Sequence, residues 1–309
     1  MLEAIFLSPF KDMLGAPAFL VEVLIGGLAA GLMYSLVALG FVLIFKASGV
    51  FNFAQGVMVL FAALTLVGLI ERGVPVVVGL VLTIVVMVAL AFAIERVVLR
   101  PLVNQEYIIL FMATIGLSFF LEGFGELLWG SNVKKLDVGI PDTSFMIRGV
   151  QINKLEMTAA LTAAVLVTVL AVFFQKTRIG RALRAVADDH EAALSIGIPL
   201  KTIWVVVWSV AGLVGLVAGI MWGAKSGVQF SLSLIALKAL PVLILGGFTS
   251  VPGAIVGGVI IGVGEKLGEV YWGPLVGGAI ENWFAYVLAL AFLLFRPQGL
   301  FGERIIERV

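Results

Sequence analysis

Cysteine is absent from this 309-residue chain, and histidine occurs once, at His190. The first absence removes disulfides, thiolate metal sites and cysteine nucleophiles. The second leaves one imidazole in a polar segment, read as a solvated helix residue rather than a base or a ligand. Charge is scarce as well: Asp, Glu, Lys and Arg make up 13% of the residues and sum to +1, which gives no electrostatic footprint for nucleic acid. No Walker-type phosphate loop, zinc-ligand spacing or GxSxG turn is present. No enzyme is expected, and no metal or cofactor bound by this chain. What the chain has instead is apolar surface. At 61% hydrophobic residues it lies outside the soluble globular range and reads as an integral membrane protein. The N-terminal stretch, with acidic Glu3 and a broken apolar run, does not resemble a cleaved leader.

Apolar runs at 24–45, 53–70, 74–94, 107–129, 157–174 and 202–224, all but 107–129 uncharged, are long enough, or nearly so, to cross a hydrocarbon core of about 30 Å as helices. Two shorter runs, 232–247 and 254–268, flank Gly246-Gly247-Phe248-Thr249-Ser250-Val251-Pro252-Gly253, and a last run covers 275–295. The expected fold is an all-α polytopic membrane protein of about eight to nine segments, forming a single transmembrane domain over 1–309. The short pair reads either as a broken or re-entrant pair lining a wet cavity or as two thin ordinary spans. Gly27, Gly31 and Ser35 recur every four residues, as do Ala211, Gly215, Gly219 and Gly223. Both stripes predict close helix contacts. Glu122 and Glu126 share a face of the fourth run, which must look inward or lie near the membrane surface.

The longest polar island is 177–199, TRIGRALRAVADDHEAALSIGIP. Thr177 is placed to cap a first helix whose Ile179, Leu183 and Val186 share a side, with Arg178, Arg181 and Arg184 on another. Asp188 is placed to open a second helix with Glu191 as its capping-box partner, and Gly197 and Pro199 to close it. Such an elbow either fixes orientation through its arginines or serves as a rigid handle for a partner protein. With the elbow inside, more than half of the 20 Lys and Arg residues fall on the cytoplasmic side, which puts the N-terminus outside and the C-terminus inside. The polar loop 130–156 is then an extracytoplasmic cap.

Gly180 to Ile198, GRALRAVADDHEAALSIGI, resembles the cytoplasmic coupling loop of ABC importer permeases, above all the branched-chain amino acid permeases of LivH type. Gly49 to Gly56 (GVFNFAQG), Ala113 to Ser118 (ATIGLS), Leu237-Lys238-Ala239 with Leu245 to Ala254, and Phe295 to Leu300 (FRPQGL) resemble further blocks of that family in the same order. Phe248-Thr249 and Glu281-Asn282-Trp283 depart from its usual pattern. Urea and amide permeases resemble the same blocks, so cargo stays open between hydrophobic amino acids and short amides.

The resemblance implies a loop at 176–200 that seats in a groove of an ATP-binding subunit, through Arg178, Gly180, Arg181, Arg184, Asp188, Asp189, Glu191, Ala192 and Gly197. It implies partners: a second related permease of LivM-like type, two ATP-binding subunits that hold ATP and Mg, and an extracytoplasmic substrate-binding protein, all in or on a bacterial inner membrane. A translocation pathway is expected near Asn52, Gln55, Lys238, Gly246, Gly247, Pro252 and Gly253. Alternatives for Asn52 and Gln55 are a helix cap and an interfacial polar residue; for Lys238, a structural ion pair with Glu265. In the contrasting class, an ion-coupled carrier or channel, the elbow would be a topological anchor and the membrane acids Glu122, Glu126, Glu265, Glu269 and Glu281 would carry coupling.

Overall fold

The computed structural model describes residues 7–102, 105–188 and 190–302, and at 190 and 191 the backbone alone. In chain order the helices are α1 (Ser8–Gly15), α2 (Pro17–Ser48), α3 (Gln55–Glu71), α4 (Val76–Ala93), α5 (Tyr107–Trp129), α6 (Lys154–Lys176), α7 (Arg178–Asp188), α8 (His190–Ser195), α9 (Leu200–Ser226), α10 (Ile235–Gly246), α11 (Val251–Leu267), α12 (Gly273–Val276) and α13 (Ile280–Phe295). π turns prolong α4 over Ile94–Leu99 and α11 over Gly268–Trp272. Proline punctuates the starts. Pro17 opens α2, Pro75 and Pro199 precede α4 and α9, and Pro252 stands in the first turn of α11, where a missing N–H costs nothing.

Six helices are long and apolar enough to cross a membrane: Pro17–Ser48, Val76–Leu102, Tyr107–Trp129, Lys154–Lys176, Leu200–Ser226 and Val251–Val276. Three shorter apolar helices are Gln55–Glu71, Phe230–Gly246 and Ile280–Phe295. The protein is a polytopic helical membrane protein. The expected short pair is half corrected. The run at 254–268 looked short because it ends at Gly268, but the π turn carries it through to Val276. Gly277 and Gly278, both at positive φ, then separate Leu275 and Val276 from the last span, which starts at Ile280 rather than 275.

The described residues fall into two compact units. One comprises 39–138 and 166–237, and α3 lies at its centre with every residue from Gln55 to Gly68 buried. α9, α4 and α5 pack around α3. The stripe on α9 meets it directly: a Cβ at Gly219 would stand 2.6 Å from the Val59 carbonyl oxygen. Because protein encloses α3, it need not match the membrane thickness, and 17 residues suffice.

The other unit comprises the described residues of 7–38, 139–165 and 238–302. Here the stripe on α2 crosses α11: a Cβ at Gly31 would lie 2.6 Å from the Gly258 carbonyl oxygen, and a Cβ at Gly262 would overlap the Gly31 backbone. Ser35 donates from its hydroxyl to the Gly31 carbonyl at 2.8 Å. Both predicted close contacts are thus present, made by glycine because backbones must touch. The loop 130–156 holds an antiparallel hairpin, β1 (Ser144–Ile147) with β2 (Val150–Asn153). Its turn residues Arg148 and Gly149 have φ of 51° and 84°, the left-handed pair a two-residue hairpin needs.

Candidate functional site

The two outer caps of the elbow are built as its sequence signals indicate. Thr177 caps α7, its hydroxyl accepting the Gly180 N–H at 3.1 Å. Gly180, Leu183 and Val186 form the buried face of α7, which packs on α9. A Cβ at Gly180 would overlap the Phe174 carbonyl, so only glycine lets α7 turn so tightly against the end of α6. Gly197 at φ 85° closes α8: Ile198 N–H reaches the Ala193 carbonyl at 3.0 Å and Gly197 N–H the Leu194 carbonyl at 3.0 Å. That pair of bonds is a Schellman closure.

Two arginines are engaged inward. Arg184 donates to the carbonyls of Phe174 at 2.8 Å and Gln175 at 3.3 Å, and Arg181 to that of Lys176 at 3.4 Å. The last carbonyls of a helix have no partner within it and carry partial negative charge. The guanidinium groups therefore tie the elbow to α6. Arg178, Asp188, Ala192 and Gly197 are exposed. Asp188 does not open the second helix as expected: the first helical run continues through it, so it ends α7, and α8 begins at His190. The expected roles of Asp189 and of the Glu191 carboxylate fall outside the described residues.

Sequence reasoning missed the tip. Leu194 and Ile196 are 52% and 73% exposed, whereas Ala193 just before them is buried. The signal was there: two large apolar residues within a polar island, off the face that α8 buries.

The residues expected along a pathway gather into two knots, one in each unit. In the first, Asn52 and Gln55 are 1% and 0% exposed. Asn52 accepts the Ala54 N–H at 3.1 Å and donates toward Gln55 and Met58. It is not the N-cap of α3, which is Ala54, but closes an Asx turn before it. Gln55 donates to the Ala211 carbonyl at 3.3 Å, so it is an interior residue and not an interfacial one. Phe53 N–H donates to the Thr114 hydroxyl at 3.0 Å, which joins the GVFNFAQG and ATIGLS blocks.

In the second knot, Gly246 and Gly253 touch backbone to backbone, and the Ser250 hydroxyl caps α11 by accepting the Gly253 N–H at 3.0 Å. The FRPQGL segment then folds back. Leu300 N–H reaches the Leu245 carbonyl at 2.7 Å and Phe301 N–H that of Gly246 at 3.1 Å. The freed carbonyls of the break are thus satisfied by protein. Gly246, Gly247 and Gly253 are buried, and Pro252 is exposed.

Lys238 pairs with Glu265 at 2.8 Å and donates to the Glu281 carbonyl at 3.3 Å. Glu265 is 4% exposed and also accepts the Tyr34 hydroxyl. The structural ion pair is present. Glu269 is spent on a cap, accepting the N–H groups of Ala279 and Glu281, each at 3.1 Å. No group of three or more His, Asp or Glu side chains able to hold a metal occurs among the described residues.

Comparison with known proteins decides what kind of chain carries this elbow. Residues 23–296 match the family described as the branched-chain amino acid transport system permease component. The chain belongs to that family. The branched-chain amino acid permease BraD of Pseudomonas aeruginosa is 29% identical over 304 residues, covering 94% of this chain and 98% of BraD. The permease LivH of Escherichia coli is 28% identical over 310 residues, with 94% and 98% covered. The L-arabinose permease AraH of Escherichia coli is 30% identical over 149 residues, covering 47% of this chain and 42% of AraH. As a member of the branched-chain permease family the chain is a membrane transport subunit, not an enzyme.

Proposed function

We propose that this permease supplies half of the translocation pathway of an ATP-driven importer of branched-chain or other hydrophobic amino acids. The observation that carries the reading is the elbow: its base is tied to α6 by Arg181 and Arg184 and packed on α9, while its tip presents Leu194 and Ile196. A rigid, double-helical handle with an apolar tip suits docking, whereas an orientation signal needs charge alone. Cargo follows from BraD and LivH, which are named for branched-chain amino acids and match nearly the whole chain.

In this reading two ATP-binding subunits, which hold ATP and Mg, seat the elbow. A second, LivM-like permease completes the pathway and an extracytoplasmic binding protein delivers cargo, with the N-terminus outside and the C-terminus inside a bacterial inner membrane. Closure of the ATP-binding pair pushes the elbow, and the tie at Phe174 to Lys176 passes the push to α6. Asn52, Gln55, Gly246, Gly247 and Gly253 act from behind the pathway wall by setting helix contacts. Pro252 stands at the surface. Lys238 acts as half of an ion pair.

The test is uptake of labelled leucine, and separately of urea, into proteoliposomes holding the assembled importer, with and without internal ATP. ATP-dependent leucine uptake is expected, and Leu194→Asp/Ile196→Asp should reduce it tenfold or more, because burying charge at an interface core costs several kcal/mol. Urea uptake with the same dependence would change the cargo. Transport by this chain alone, indifferent to ATP, would sink the reading.

A further inference from the structure

In the unit containing α11, the N-terminal part of α2, the hairpin, the start of α6 and the end of α11 line a half-open cavity of about 270 Å³. Its charged lining is Glu22, Glu156 and Lys266; Phe19, Val23 and Val270 are among its apolar walls. Ligand pockets run from about 300 to 1,000 Å³, so this one suits a single small molecule.

Lys266 is an exposed residue of the apolar stretch Val251–Val276, and its side chain borders this cavity beside the hairpin. Its stem lies across α2 at Gly26 and Gly27: Cε is 3.8 Å from where a Cβ of Gly26 would be, and Cβ is 3.3 Å from that of Gly27. Unlike Lys238, it forms no ion pair among the described residues. Glu22, one turn before Gly26 on α2, is steadied by accepting the Gln151 N–H of β2 at 3.2 Å. One cation and two carboxylates therefore converge on a small cavity that also offers apolar surface.

We propose that this cavity is a binding site on the permease itself for an apolar α-amino acid in its zwitterionic form. Lys266 takes the α-carboxylate, Glu22 and Glu156 take the α-ammonium, and Phe19, Val23 and Val270 cover the aliphatic side chain. The site deepens the importer reading and rests on it: the transported molecule is checked by charge at both ends on this chain. A neutral amide or urea offers neither charge.

The test is equilibrium binding of labelled L-leucine to the assembled importer in phosphatidylcholine nanodiscs, without binding protein. Saturable binding is expected, with L-leucinamide and 4-methylpentanoate, each lacking one charge, competing at least about tenfold more weakly than leucine. Lys266→Met and Glu22→Gln should each weaken leucine about tenfold or more, and Lys266→Arg should restore it. Binding indifferent to Lys266→Met, or equal competition by the two analogues, overturns the site. Should a variant fail to assemble, the analogue competition on the unaltered importer decides. Displacement of leucine by phosphatidylethanolamine in the nanodisc would assign the cavity to a lipid headgroup instead. Failure of ATP-driven leucine uptake would strike the importer reading; intact uptake without Lys266-dependent binding would strike this site alone.

Discussion

Lys238 and Glu265 pair because neither has another way to stay ionised in apolar surroundings. Lys238 is the one charge of its apolar run and Glu265 is buried in the next helix, and at 2.8 Å each answers the other's charge. Lys238→Met should therefore cost about 3–5 kcal/mol by leaving Glu265 buried and unpaired. Adding Glu265→Gln should recover most of that, since the amide still accepts from Tyr34; thermal unfolding of both variants in detergent measures it. This pairing was legible in sequence because isolated charges in apolar runs must meet. The roles of Arg181 and Arg184 were not. Three arginines on one side of a helix read equally as docking or orienting charges, and their capping of α6 exists only because Gly180 lets the chain fold back on Phe174.

Among elements, caps decide where the chain turns. Glu269 sits in the π turn after α11 and reaches across to the first N–H groups of α13, which has no side-chain cap of its own. Removing it in Glu269→Ala should cost about 0.5–2 kcal/mol. Hydrogen exchange at 279–282 should accelerate, while exchange in α3 should stay as it was. The acidic side chain looked in sequence like a membrane acid free for coupling. Its capping role was hidden because the π turn and the paired glycines after it, not a local capping motif, bring it to α13. The hairpin was hidden for a related reason. β1 and β2 are four residues each and mostly exposed, so no alternation of buried and solvated positions marks them. The four-residue stripes on α2 and α9 were legible because close backbone contact demands small side chains whatever the partner.

At the scale of the molecule, the elbow joins two membrane helices, α6 and α9, and its tie to α6 is three hydrogen bonds from two arginines. Arg184→Met removes two of them while keeping the stem. In the assembled importer, ATP hydrolysis by the partner subunits should continue and leucine uptake should fall about tenfold, if each charge-assisted bond is worth about 1.5 kcal/mol or more. Measuring hydrolysis and uptake on the same proteoliposomes separates loss of coupling from loss of docking, because Leu194→Asp/Ile196→Asp should lower both.

The sequence by itself determined that this is a helical membrane protein, where its elbow lies and how that elbow is capped at its two outer ends. Those features rest on apolar run length and on signals spaced within a few residues, which act locally. Only the tertiary structure decided which residues face what. The blocks around Asn52 and Gly246 proved to be interior knots, the FRPQGL segment a cover for the open end of α10, and Lys266 a wall of a cavity. Each of these depends on contacts between residues far apart in the chain, which neither composition nor periodicity encodes.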